Sequence, residues 1–166
     1  RLNLLTHNMR DVERRHSSLR SAIAWSVDRL PSQQRQAFAC LSILPTDSPL
    51  EVGLVVTASD FATLSALREQ SLLQISHHDA EPRLYMLESL REYGQELLHT
   101  LPNETESLAH RRLLDWCISL CGPISRKAAQ ATLEKGDYSR FKREQQVIAA
   151  ALNWALSRDP RSGLYL

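Results

Sequence analysis

A chain of 166 residues that is 43% hydrophobic and 23% charged has enough apolar material for one substantial core or two small ones, and nothing in its composition suggests disorder. The formal net charge of +1 also excludes the one-signed field of a dedicated polyanion binder: residues 1–100 carry 10 Arg against 12 acids, and residues 101–166 carry 10 Lys and Arg against 7 acids. The three cysteines, Cys40, Cys117 and Cys121, are odd in number and have no framework spacing, which points to reduced intracellular thiols. No run approaches the ~18 apolar residues of a membrane span and no charged-apolar-small leader is present, so the expectation is a cytoplasmic protein with no membrane partner.

In chain order, Leu19, Ala22, Ile23, Ser26, Val27 and Leu30 recur at helical spacing until Pro31, and Ser32 stands where it could cap a second helix over about 33–44. Ala37, Phe38, Leu41 and Leu44 form the apolar face of that helix. Pro45, Asp47, Ser48 and Pro49 punctuate a loop into a short apolar segment around 50–56, and Ser59 or Asp60 caps a third helix with Phe61, Leu64, Ala66 and Leu67. The period then changes: 72–76 and 83–87 read as two short strands around the polar turn 77–82, and a helix from Ser89 carries Leu90, Tyr93, Gly94, Leu97 and Leu98. Three helices and a β-hairpin are the parts of a winged-helix fold in a mainly α chain.

Beyond Pro102 two longer helices follow, one with Ala109, Leu113, Trp116, Cys117, Leu120, Cys121 and Ile124 on a face, the other starting near Asp137 with Phe141, Ile148, Ala151, Leu152 and Ala155. Gly136 suits a turn between them, which predicts an antiparallel helical hairpin. Such a pair buries too little by itself, so it either packs on the preceding domain or starts a TPR-like helical array. The first residue is Arg1, and Gly163 to Leu166 resemble the opening of a further apolar segment. The expectation is a piece of a longer protein whose exposed apolar end promotes self-association.

Residues that could carry chemistry are few. Cys117 and Cys121 are spaced i, i+4 with His110 on the same helical face, but His110 lies about 10 Å from Cys117 along the axis at 1.5 Å per residue. That is too far for one tetrahedral ion. His77, His78 and Asp79 are adjacent on a polar turn and read as a solvated loop. No GxxxxGK[ST], GxSxG or HExxH pattern occurs. The expectation is no catalytic residue, no metal and no cofactor within this chain.

The segments RLNLLTH, ERRHSSLRSAIAWSVDRL, EQSLLQI, RLYMLESLREYGQELL and EQQVIAAALNWAL, in that order, resemble a bacterial family of large ATPase regulators. These are signal-transduction ATPases of the STAND class, related to NB-ARC proteins and found with LuxR-type or SARP-type transcription regulators. The residues carrying the likeness most specifically are Arg15, His16, Trp25 and Ser26, and then Leu87 and Glu88 with Arg91, Glu92 and Tyr93. The resemblance implies that 1–15 are the end of a lid, 16–100 a winged-helix domain and 101–166 the start of a C-terminal helical sensor region. It also implies that ATP or ADP is bound by the parent protein, outside this stretch, and that the partners are the nucleotide-binding and lid domains of the same chain.

By the same resemblance, Met86, Leu87 and Glu88 lie where NB-ARC relatives carry a Met-His-Asp triplet that approaches the nucleotide phosphate. Here the histidine position is Leu87, which cannot donate a hydrogen bond to phosphate. Read from the residues alone, Met86 and Leu87 are alternating strand positions and Glu88 sits beside a helix N-terminus. The function the resemblance implies is a non-catalytic coupling module between ATPase core and sensor. The alternatives are a DNA-binding winged helix using helix 60–71, or a protein adaptor. With Arg68 set against Asp60 and Glu69, that helix predicts weak or no DNA binding.

Overall fold

The computed structural model describes residues 18–76, 81–132 and 134–158. Arg15, His16, the turn residues His77, His78 and Asp79, and the end 159–166 lie outside the described residues. What is described is mainly helical, eight helices with a small three-stranded antiparallel sheet.

Helix α1 runs through residues 18–28 and buries Ile23 and Val27, ending ahead of Pro31. Helix α2 (Ser32–Leu41) follows at once. Ser32 does not cap it. The cap position is Pro31, whose carbonyl accepts the Arg35 N–H at 2.9 Å, and Ser32 is the first helical residue. A proline fits there because it has no amide hydrogen and a fixed φ. The apolar run 50–56 is helix α3 (Leu50–Thr57), entered directly from strand β1 (Ser48–Pro49). Asp60 caps α4 (Phe61–Glu69): its Oδ1 accepts the Thr63 N–H at 2.9 Å and the Thr63 hydroxyl at 2.8 Å.

Strands β2 (Gln74–Ser76) and β3 (Arg83–Tyr85) form the expected hairpin, each shorter than its hydrophobic run. The sheet order is β1-β3-β2, with Ile75 opposite Leu84 and Pro49 opposite Arg83. The proline sits in an edge strand, where a missing N–H costs least. Helix α5 (Glu88–Thr100) then lays Leu90, Gly94, Leu97 and Leu98 on the core, as its 3.6-residue repeat predicts.

The C-terminal part departs from a simple helical hairpin. Helix α6 (Asn103–Ala129) is one rod of 27 residues that continues through Pro123. The next segment is two helices, α7 (Lys135–Arg143) and α8 (Gln145–Arg158), meeting at Glu144. Gly136 lies inside α7 and ends nothing; the start of α7 is fixed instead by a reciprocal capping box between Glu134 and Asp137. Buried residues of α6 and α8, among them Leu113, Trp116, Cys117, Val147 and Ala151, join those of α2 to α5 in one continuous hydrophobic core. Among the described residues no single helix is long and apolar enough to cross a membrane.

Among the described residues four other than glycine have positive φ: Asp47, Ala58, Ser71 and Ala131. Ala58 is the C-cap of α3, while Ser71 and Ala131 each follow the C-cap of a helix, α4 and α6.

The crossing of α5 over the end of α2 depends on Gly94, where an added Cβ would stand 2.8 Å from Ser42 Cβ. At Gly136 an added Cβ would meet nothing within 4 Å. Gly94→Ala is therefore expected to destabilise by about 1–3 kcal/mol. Gly136→Ala, a change to a better helix former in open space, is expected to stabilise by about 0.4–1 kcal/mol. Urea unfolding followed by circular dichroism checks both signs.

Candidate functional site

The most constrained polar group in the described residues is Arg83, the first residue of β3. β3 is the middle strand of the sheet, paired along both edges, and Arg83 is only 5% exposed. Its Nη1 donates to Glu144 Oε1 at 2.7 Å and its Nη2 to Glu144 Oε2 at 3.1 Å. Its Nε donates to Asp47 Oδ1 at 2.6 Å, and Nη2 also reaches the Asp47 carbonyl at 2.5 Å. The planar fork of arginine suits this double recognition of a carboxylate. Hydrogen bonds from the guanidinium to Glu144 and then to Asp47 hold the Arg83 pKa above the ordinary arginine value against the opposing effect of burial.

Each partner is placed by local structure. Asp47 has φ 67°, a left-handed conformation that aspartate tolerates better than most residues, and from there both its carboxylate and its carbonyl meet Arg83. Glu144 is 1% exposed and stands between α7 and α8: its N–H donates to the Arg140 carbonyl at 3.1 Å and its own carbonyl accepts the Ile148 N–H at 3.0 Å. No glycine or proline accounts for the break at this point. What distinguishes position 144 is that its side chain turns into the core to meet Arg83, 61 residues away in sequence. Removing Arg83 would leave the buried Glu144 carboxylate uncompensated, at a cost of about 3–5 kcal/mol.

The residues carrying the family likeness lie elsewhere. Met86 is buried, whereas Leu87, the N-cap of α5, is 59% exposed. Glu88 opens α5 and pairs with Arg91 at 2.6 Å and 3.0 Å. That bond to Arg91 lowers the Glu88 pKa, and the same bond raises that of Arg91. Glu92 points to solvent. Tyr93 lies under the Arg20 guanidinium, 5.5 Å from its ring centre, and Arg20 forms an ion pair with Glu96. Trp25 on α1 is 64% exposed with the Arg29 guanidinium 4.4 Å over its ring, and Ser26 Oγ donates to the Ala22 carbonyl at 3.1 Å. Arg20 thus links α1 to the α5 cluster, while Arg83, Glu144 and Asp47 form a separate centre.

The cysteines behave as core thiols. Burial pushes Cys40 up to about 11 and Cys117 up to about 12, and it raises Cys121 as well. Among the described residues no group of three or more His, Cys, Asp and Glu side chains could hold a metal ion. His110 instead stacks on Trp154, with ring centres 4.8 Å apart and planes at 5°, between α6 and α8. Its Nδ1 is buried without a hydrogen-bond partner.

Sequence reasoning passed over Arg83 and Glu144. A signal was available: Glu144 precedes Val147, Ile148, Ala151 and Ala155 by 3, 4, 7 and 11 residues, which puts an acid on the buried stripe of a helix. No protein family, curated protein or solved structure gives a match to the chain.

His110 gives a pH dependence whose sign follows from its surroundings. Burial lowers its pKa from 6.5 to about 4; Glu106 acts in the opposite sense and Arg158 in the same one. As pH falls below the ordinary value the unfolded chain takes up this proton first, so the contribution of His110 to stability is complete above 6.5 and is lost as pH falls towards 4. The thermal midpoint should drop between about pH 7 and pH 5, and His110→Phe, which keeps a ring on Trp154 without a titrating group, should remove much of that drop.

Proposed function

We propose that the chain is a non-catalytic coupling module of a STAND-type signal-transduction ATPase. In this reading residues 16–100 are the winged-helix domain, and α6, α7 and α8 are the helical element that conveys a signal to it. The nucleotide, ATP or ADP, is held by the parent protein's other domains, and the nucleotide-binding and lid domains are the partners.

One observation carries the reading. The Arg83–Glu144 pair joins the sheet's central strand to the junction of two C-terminal helices, so displacement of α7 and α8 cannot leave β3 unaffected. Intact, such a desolvated, doubly hydrogen-bonded pair holds two elements in register; to separate, it must hydrate both charges. The order of elements supports the winged-helix assignment, since α3 and α4 precede an antiparallel hairpin whose inner strand pairs with β1. The buried Leu90, Gly94, Leu97 and Leu98 support a packing role for α5, and Leu87 has no donor for a phosphate.

Hydrogen exchange tests this reading. In Glu144→Gln, amides of α8 and of β3 are expected to lose protection together, by about tenfold or more, because the buried guanidinium loses its one buried carboxylate partner and keeps only the half-exposed Asp47. Loss confined to residues around 144, with β3 unchanged, would show that the pair transmits nothing and would reject the coupling role.

The second reading, a DNA-binding winged helix, is favoured by the same order of elements and opposed by charge. Helix α4 offers Arg68 alone as a cation, against the exposed Asp60 and Glu69 at its two ends. Non-specific duplex affinity comes almost wholly from phosphate neutralisation. Titration of mixed-sequence duplex at near-physiological salt should therefore show no salt-sensitive binding through α4. A steep salt slope abolished by Arg68→Ala would replace the coupling reading with the DNA-binding one.

A further inference from the structure

Helix α7 differs from every other helix from α2 onward in burying none of its nine residues. Its charges are sorted. The acids in and around it are engaged inside the molecule: Glu134 and Asp137 in their capping box, Asp137 also with Lys127 Nζ at 2.9 Å and 3.0 Å, and Glu144 with Arg83. The cations are left outside. At 100° per residue, Lys135, Tyr138, Lys142 and Arg143 fall on one side of the helix, while Asp137 and the half-buried Phe141 fall on the other. Lys135, Lys142 and Arg143 have no ion-pair partner among the described residues, and Arg140 reaches Glu51 only at 3.8 Å. Tyr138, at the edge of this face nearest Phe141, is 59% exposed.

We propose that this face of α7 is a docking surface for an acidic protein segment. Three unpaired cations on one side of the helix, with an exposed tyrosine at the edge, are complementary to a short run of Asp and Glu, and tyrosine and arginine are the residue types that anchor protein interfaces. Size argues against nucleic acid as the occupant. Nine helical residues span about 13 Å, enough for only a few phosphates. A longer polyanion would also meet Glu51 beside Arg140 and Glu134 at the helix start. An acidic peptide segment fits within those limits, and its binding is weak and salt-dependent, as a small polar contact must be. The surface is separate from the Arg83–Glu144 pair and does not depend on the coupling role.

The test uses fluorescence anisotropy of three probes with the intact chain: a labelled short poly-glutamate peptide, a labelled oligo-thymidylate and phosphatidylserine vesicles. At low salt the peptide should bind, and the charge reversal K135E/K142E/R143E should weaken it by about tenfold or more. The neutral variant K135Q/K142Q/R143Q should weaken it less, and Arg68→Ala should leave it unchanged. Since none of these side chains is buried, unchanged circular dichroism is expected for all variants, and the neutral triple decides if the reversed one fails to fold. Absence of peptide binding, binding indifferent to both triples, or tighter binding of oligo-thymidylate or vesicles than of peptide would each overturn the proposal.

Discussion

A guanidinium leaves water at acceptable cost only if nearly all of its donors are met, and the arrangement around Arg83 follows from that requirement. Two carboxylates and a carbonyl converge on it from the loop before β1 and from the junction of α7 and α8. Satisfying Arg83 therefore fixes three stretches of chain that no local propensity would bring together. The hydrophobic core supplies the drive for collapse, but apolar contacts are tolerant of sliding, whereas a bidentate ion pair accepts only one register. Its net contribution to stability is modest after desolvation, and its larger effect is on which arrangement of sheet and helices is the lowest.

Much of the architecture is legible in local pattern. Leu90, Leu97 and Leu98 declare α5 by spacing, Asp60 declares the start of α4 by its cap, and the apolar runs on either side of 77–82 declare a hairpin. These features depend on neighbours within four residues or across one turn. The short run 50–56 carried no such marker, because a brief apolar stretch reads equally as strand or helix; tertiary packing of Val52, Gly53 and Val56 makes it α3. The division of α7 from α8 was hidden because Phe141 and Ile148 are spaced i, i+7 and stay in phase across the break. Gly136 misled in the opposite direction, since glycine marks helix ends only as a tendency and the capping box at Glu134 and Asp137 lay beside it.

The candidate site was less legible than the fold for a definite reason. Arg83 looks like the polar residue of an alternating strand and Glu144 like a solvated charge in the run Lys142, Arg143, Glu144, Gln145. Their meaning lies in a pairing across 61 residues, and charge in sequence carries no address. Of the residues that do stand out by likeness, Tyr93 is tied to α1 through Arg20, while Trp25 stands exposed on α1 under the Arg29 guanidinium.

The left-handed residues at the ends of three helices have a mechanical consequence. Glycine takes that conformation freely, yet Ala58, Ser71 and Ala131 hold it after α3, α4 and α6, each against a steric penalty of about 1–2 kcal/mol. The strain is thus concentrated at the joints while the rods between them remain regular. Rotation at any of these joints toward an ordinary backbone conformation releases part of that energy, which offsets some of the packing lost on opening. A swing of α7 and α8 about residue 131 still has to part Arg83 from Glu144, so the strain at that joint lowers the cost of opening while the ion pair sets it.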